Sequence, residues 1–172
     1  MNKSRYTTAV VLALLSLCSR LIASDSIPNE RIDFQGFMVV AQNAKNTRES
    51  RRLTETAFMK MAAEPGTIVL DARSADKFAL RHIKGAISLP FTVFTEDTLA
   101  KAIPAKTTRV LIYCNNNFLG SPAAFASKVA TASLNISTFI ALQTYGYSNV
   151  YELGPLLDVR TTKLPFAGTE VK

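Results

Sequence analysis

Cys114 is the residue of this 172-residue chain whose type and position point most directly to chemistry. It follows an apolar run, Val110 to Tyr113, that is typical of a strand buried on both faces. Ser121 and Pro122 form a helix start, because a capping hydroxyl precedes a proline at the first helical position. Ligands of open α/β sheets bind at the carboxyl ends of the strands. A thiol placed there, facing free N–H groups and a helix N-terminus, would be shifted towards the nucleophilic thiolate.

The residues that follow Cys114 are uncharged and polar at first. An asparagine tolerates the left-handed backbone of a turn, and its amide can donate hydrogen bonds to an anion. The alternative interpretation is a polar turn that binds no ligand. The aromatic ring of the loop either lines the entrance to the site or covers the core. The candidate substrate- or anion-binding loop consists of Asn115, Asn116, Asn117, Phe118, Leu119 and Gly120.

The first 24 residues have the layout of a secretory signal peptide. Lys3 and Arg5 precede an apolar run from Thr7 to Cys18, and small and polar residues follow up to Ser24. A membrane anchor is disfavoured, because the run is short for a bilayer and Arg20 interrupts it. We therefore expect residues 1–24 to be removed on export to the periplasm or outside the cell, which leaves no stable membrane span.

Removal of this leader changes both the charge and the cysteine content. The formal net charge falls from +7 to +4, because three basic residues and no acidic residue leave. No Lys/Arg cluster is interleaved with aromatic residues, so nucleic acid is not an expected partner. Cys18 leaves too, so Cys114 is a lone thiol, either buried and inert or kept for reactivity. A thiol redox function is disfavoured, because there is no second cysteine to resolve a disulfide. The chain has one histidine and no metal-ligand spacing, and neither a metal nor a cofactor is predicted.

The elements around Cys114 alternate between strands and helices of about ten residues, which predicts a parallel sheet covered by helices on both faces. Residues 25–50 are expected to be an extension with a strand at Phe37–Ala41. An edge strand at Arg51–Leu53 and helices capped by Thr54 and Ser74 precede the Cys114 strand. The later elements are a helix over 122–131, a helix over 138–144 capped by Ser137, a strand over 149–153 and a coil over 164–168.

Four motifs occur in order along this part of the chain. They are Leu70-Asp71-Ala72-Arg73, the run from Phe78 through His82-Ile83 and Gly85-Ala86 to Pro90, the strand Arg109–Cys114, and the segment Gly146–Gly154. Together they resemble the rhodanese-like domain family over residues 51–168. The resemblance implies an α/β domain around a central parallel five-stranded sheet flanked by helices on both faces. It also implies sulfur transfer through a cysteine persulfide at Cys114.

Three residues outside the loop are predicted to have supporting roles. Asp71 and Arg73 stand at a strand end, where either an Asp–Arg contact or a clamp on the loop is expected. His82 invites comparison with a nucleophile–base pair, but in the family this segment is a structural turn.

The uncharged loop indicates which sulfur donors the protein uses, and several functions remain open. Relatives that use thiosulfate usually carry basic residues in the loop, so we expect weak activity with thiosulfate and a different small sulfur donor or a persulfide-bearing partner protein. A non-catalytic protein-binding module is the alternative function. A phosphatase is disfavoured, because the sixth residue after Cys114 is Gly120 and not an arginine that could hold phosphate. Asn135-Ile136-Ser137 is a potential glycosylation site.

Overall fold

The computed structural model describes residues 27–171. Among these residues, 35–171 form one compact unit that contains the strands given below and the cysteine site, and residues 27–34 belong to a separate unit. The predicted signal peptide, residues 1–24, lies outside the described residues. Over residues 27–171, no helix is long and apolar enough to cross a membrane.

A five-stranded parallel sheet forms the centre of the larger unit, as predicted. Its order is β1-β7-β5-β2-β4. The central strand β5 pairs with β2 over its whole length, from Thr67 opposite Arg109 to Asp71 opposite Tyr113. The strands are β1 (Arg52–Leu53), β2 (Thr67–Asp71), β4 (Ile87–Ser88), β5 (Arg109–Tyr113) and β7 (Val150–Leu153).

Helices cover both faces of the sheet, because side chains of β5 alternate between two apolar cores. Val110 and Ile112 lie in one core, and Leu111 and Tyr113 lie in the other. Helices α1, α4 and α5 pack on the first face, and α2 packs on the second. The helices are α1 (Phe34–Arg48), α2 (Glu55–Ala62), α3 (Ala75–Leu80), α4 (Glu96–Ala102) and α5 (Leu134–Thr144).

Two small two-stranded sheets complete the fold. In one, β3 (His82–Ile83) pairs antiparallel with β9 (Phe166–Ala167). In the other, β6 (Phe118–Leu119) pairs in parallel with β8 (Leu157–Asp158). The second of these ties the segment after Cys114 to the chain that follows β7.

Several local predictions are wrong. Phe37–Ala41 lies inside helix α1, whose Val40, Ala41 and Ala44 pack on the core at helical spacing. The segment 122–131 is not a helix; it consists of turns and extended chain, with a single 3-10 turn at Ala130–Ala132. The next helix begins at Leu134 rather than after Ser137, and the predicted coil over 164–168 contains strand β9.

Candidate active site

Cys114 lies at the carboxyl end of β5, the middle strand of the sheet, and is 1% exposed. Its backbone is extended, and it caps a 3-10 turn over Asn115–Asn117. The backbone N–H of Asn117 donates to the Cys114 carbonyl at 3.1 Å, and the same N–H faces the sulfur in a capping-box arrangement. The end of the strand therefore gives the sulfur a backbone donor.

Ser133 is the second polar group at the sulfur. Its Oγ lies 3.5 Å from Cys114 Sγ, and Ser133 immediately precedes Leu134, the first residue of helix α5. The amino end of an 11-residue helix, which carries partial positive charge, therefore lies beside the sulfur. The sequence placed this helix start at Ser121–Pro122, which is wrong; the structure supplies one from a segment twelve residues later.

The three asparagines after Cys114 use their side-chain amides to fix the chain. Asn117 Oδ1 accepts from the backbone N–H of Cys114 at 2.9 Å, and its Nδ2 donates to the carbonyl of Leu153 at 2.8 Å. Asn116 makes a pair of 2.9 Å hydrogen bonds with the backbone of Lys128, and Asn115 donates to the carbonyl of Ala126. These amides hold the turn and the chain above it.

The rest of the candidate loop turns away from the sulfur. Phe118 is buried, with its ring centroid 4.5 Å from that of Phe125 and 5.3 Å from that of Phe166. Leu119 lies in β6, and Gly120 follows it with a φ of +86°. The structure thus brings Asn116 and Asn117 to the cleft that Cys114 lines, and Phe118, Leu119 and Gly120 lie elsewhere.

Asp71 and Arg73 form a buried ion pair beneath the site. Nε and Nη2 of Arg73 both donate to the Asp71 carboxylate, at 2.9 and 2.5 Å, and Nη1 donates to the carbonyl of Ala124 at 2.8 Å. Tyr113 Oη donates to the same carboxylate. Burial and the neighbouring Asp71 charge raise the pKa of Tyr113 well above its usual value, so the phenol remains a donor. The network joins the ends of β2 and β5 to the segment that returns over Cys114.

His82 and Asn135 make contacts that stabilise the fold. His82 stacks on Phe78 at a centroid distance of 3.7 Å, and its Nδ1 lies 2.8 Å from the Phe78 carbonyl. It belongs to β3 and is not among the residues that line the Cys114 cleft. Asn135 is 5% exposed and donates to Asn117 Oδ1, so the glycosylation sequon is inaccessible in the folded domain.

Cys114 lines a cleft of about 260 Å³ whose charged residues come from outside the loop. Arg48 at the end of α1, Arg52 in β1 and Glu152 in β7 line it together with Ser133. Their place at the site is not apparent from the sequence, because α1 and β1 precede the cysteine by more than 60 residues. The sequence contains one indication of these residues: Glu152 is an acidic residue inside a buried strand, and such a residue needs a partner.

Glu152 is the buried anion of this cleft. It is 1% exposed, and its Oε1 lies 2.7 Å from Arg48 Nη2 and 3.3 Å from Arg52 Nε. Burial raises the pKa of the Glu152 carboxyl, and the attraction of Arg48 and Arg52 opposes that rise. Both arginines keep part of their surface exposed, so they face the cleft as well as Glu152.

Comparison with known proteins gives the family. The family model of the rhodanese-like domain matches residues 54–155, more than half of the chain. The chain belongs to the rhodanese-like domain family. In this rhodanese-like domain, the matched residues include Cys114 and the strand β5 that precedes it. No curated protein matches the sequence.

Three solved structures are similar to this chain. The Alr3790 protein of Anabaena sp. is 19% identical, with 69% of this chain and 94% of that chain covered and a TM-score of 0.47. The BH2092 protein of Bacillus halodurans is 24% identical, with 76% and 85% covered and a TM-score of 0.48. A rhodanese with anions from E. coli is 22% identical, with 59% and 98% covered and a TM-score of 0.41.

Proposed function

We propose that this rhodanese-like domain transfers sulfur through a persulfide on Cys114. One observation carries the proposal. The sulfur of Cys114 stands at the carboxyl end of the central strand, in contact with an N–H donor and with the Ser133 hydroxyl just before α5, and Cys114 lines a cleft. Fixed donors and a helix N-terminus stabilise an anionic sulfur without a charged side chain in the loop.

The reaction has two steps, and neither needs a further oxidant or reductant. In the first, the thiolate attacks the terminal sulfur of a donor; a new S–S bond forms, and the donor's own bond to that sulfur breaks with its electron pair. In the second, a nucleophilic acceptor attacks the outer sulfur and releases the Cys114 thiolate. The active loop itself contributes backbone donors and a fixed turn.

Intact-mass analysis of the protein after incubation with sulfane-sulfur donors tests this function. We expect the mass of one sulfur atom to be added to the wild type, to be absent in Cys114→Ser, and to be removed by cyanide or a thiol. An unmodified Cys114 under every donor would contradict the proposal and favour a protein-binding module. In that case the exposed segment 126–132, which carries Val129 at 72% exposure, would be the first bait for partner capture.

We also propose that the protein acts after export, in the periplasm or outside the cell. The support is the order of basic, apolar and small residues within residues 1–24. Determination of the N-terminus of the protein recovered from its own cells tests this proposal. A mature chain that begins close to Asp25 is expected, and an intact Met1 would contradict it.

A further inference from the structure

The Cys114 cleft holds two cations that the family-matched region does not contain. The match begins at residue 54, whereas Arg48 and Arg52 precede it in α1 and β1. Parallel pairing of β1 with β7 places Arg52 beside Glu152, its partner in the register. The extension before the matched region therefore supplies side chains to the site.

These two arginines differ from ordinary surface arginines. Arg48 and Arg52 have 29% and 40% of their side-chain surface exposed, and both contact the buried carboxylate of Glu152. Arg52 also lies 3.4 Å from Glu49, but that carboxylate is 82% exposed and solvent screens it. A buried counter-ion holds both guanidinium groups at the cleft, which lowers the entropy that they lose when they bind a ligand.

Four buried polar atoms of the lining are without a hydrogen-bond partner among the described residues. One is a donor, Nε of Arg48, and three are acceptors: Oδ1 of Asn135, whose residue is 5% exposed, and the two carboxylate oxygens of Glu152, the residue that forms ion pairs with Arg48 and Arg52. Buried polar atoms are rarely left unpaired. The lining thus retains hydrogen-bonding capacity that a small polar ligand beside Cys114 can use.

The charges of the lining decide which ligands suit the cleft. Among the residues that line it, Arg48 and Arg52 are the cations and Glu152 is the anion, so the lining carries a formal charge of +1. A donor with one negative charge neutralises this lining. A dianion leaves an excess negative charge beside a thiolate that must attack it.

We infer that Arg48 and Arg52 bind the anionic group of the sulfur donor, and that Glu152 restricts the cleft to donors with a single negative charge. The inference rests on the proposed function and names its substrate class: small monoanionic donors, of which thiosulfonates are the simplest probe. In the step itself, the Cys114 thiolate takes the terminal sulfur of a thiosulfonate, the sulfur–sulfur bond breaks, and a sulfinate leaves with the electron pair. Thiosulfate would react in the same way and release sulfite, but as a dianion it would bind less tightly.

The first experiment measures binding and not turnover. Isothermal titration calorimetry with the Cys114→Ser protein compares methanethiosulfonate with thiosulfate, because the variant binds without reacting. We expect methanethiosulfonate to bind more tightly. Arg48→Gln and Arg52→Gln should each weaken its binding by about ten-fold or more, the order of effect of one unit charge at short range.

Arg51→Gln is the matched control. Arg51 is adjacent to Arg52 in the sequence, but its guanidinium lies 4.5 Å above the Tyr151 ring and does not line the cleft. This variant removes the same charge and should leave binding unchanged. Equal losses in Arg51→Gln and Arg52→Gln, or no binding by the parent, would overturn the inference.

Glu152→Gln gives an independent arm that does not depend on the stability of the arginine variants. Removal of this negative charge should shift the preference towards thiosulfate by about ten-fold. An unchanged preference would overturn the role of Glu152. Persulfide formation is measured separately on the wild type, so donor binding without a persulfide refutes the proposed function alone, and a persulfide with arginine-independent binding refutes only this inference.

Discussion

Replacement of Arg73 by methionine tests the buried network beneath Cys114. Arg73 is 4% exposed and pairs with Asp71, which is fully buried. Its remaining N–H groups donate to the carbonyls of Ala124 and Arg81, both at 2.8 Å. Methionine keeps an unbranched side chain that ends where arginine has Nε, and it removes every one of these donors.

The expected loss of stability is large. Breaking a buried ion pair by removing one partner costs about 3–5 kcal/mol, because the other charge remains buried. A buried carbonyl left without its donor adds about 1–3 kcal/mol. These contributions overlap, so we expect Arg73→Met to lower the free energy of unfolding by about 4–6 kcal/mol, which is a large share of the roughly 5–15 kcal/mol that stabilises a typical domain.

Urea unfolding followed by circular dichroism measures this loss, and the chain contains its own control. Asp158 and Arg160 have the same i, i+2 spacing and the same 2.9 Å contact from Nε to Oδ1, but the Arg160 side chain is 75% exposed. Arg160→Met should leave stability nearly unchanged, because solvent screens an exposed pair. The two arginines therefore differ in burial and not in local geometry.

A double-mutant cycle with Asp71→Asn completes the test. The double variant leaves no unpaired charge, so it should be more stable than the sum of the two single losses predicts, by about 1–3 kcal/mol. Additive losses, or a loss in Arg73→Met below about 2 kcal/mol, would refute the conclusion that the buried pair secures the segment above Cys114.

Three further predictions concern the surroundings of the site. Burial raises the pKa of Glu152, so its ionised form opposes folding. Glu152→Gln should therefore raise Tm at neutral pH. The difference in Tm between variant and wild type should vanish as the pH falls below the ordinary glutamate pKa. A pH-independent Tm difference would contradict this. Asn117→Ala leaves the Cys114 N–H and a β7 carbonyl without partners, so urea unfolding should show a loss of about 2–3 kcal/mol and mass analysis a slower persulfide formation. Gly120→Ala should cost about 1–3 kcal/mol, because φ is +86° and a Cβ would lie 2.9 Å from Asp158 Oδ1; an unchanged urea midpoint would count against that strain.

The central part of the fold follows from local sequence patterns. The strand before Cys114 was predicted because a short apolar run is stable only where both faces are covered, and the structure buries Val110 to Tyr113 completely or almost completely. Helix α2 was predicted from Thr54, whose hydroxyl accepts from the backbone N–H of Ala57 at 3.2 Å. Patterns that act within one element were therefore sufficient here.

In the Ala-rich segment 122–131, tertiary hydrogen bonds override the local helix propensity. Alanine favours helices, but the carbonyls that a helix would use are taken by side chains from elsewhere. Arg73 donates to Ala124, Asn115 donates to Ala126, and Asn116 pairs with the backbone of Lys128. None of these partners is visible in the composition of the segment itself.

The charged side of the cleft depends on pairing between distant parts of the chain. Arg52 contacts Glu152 because β1 pairs with β7, and the sequence separation is 100 residues. Arg48 is placed by α1, a helix in which the sequence predicted a strand over Phe37–Ala41. The cysteine could be found from its motif, whereas its charged neighbours required the tertiary structure.

Strand β1 also determines where a stable fragment of this domain can begin. It is only two residues long, yet it forms the outermost strand beside β7. A fragment beginning at residue 54, where the family match starts, would leave the N–H and C=O groups of β7 open to pairing with another molecule. It would also remove both cationic partners of Glu152. Such a fragment should self-associate through β7, so the working unit of this protein begins upstream of its family boundary.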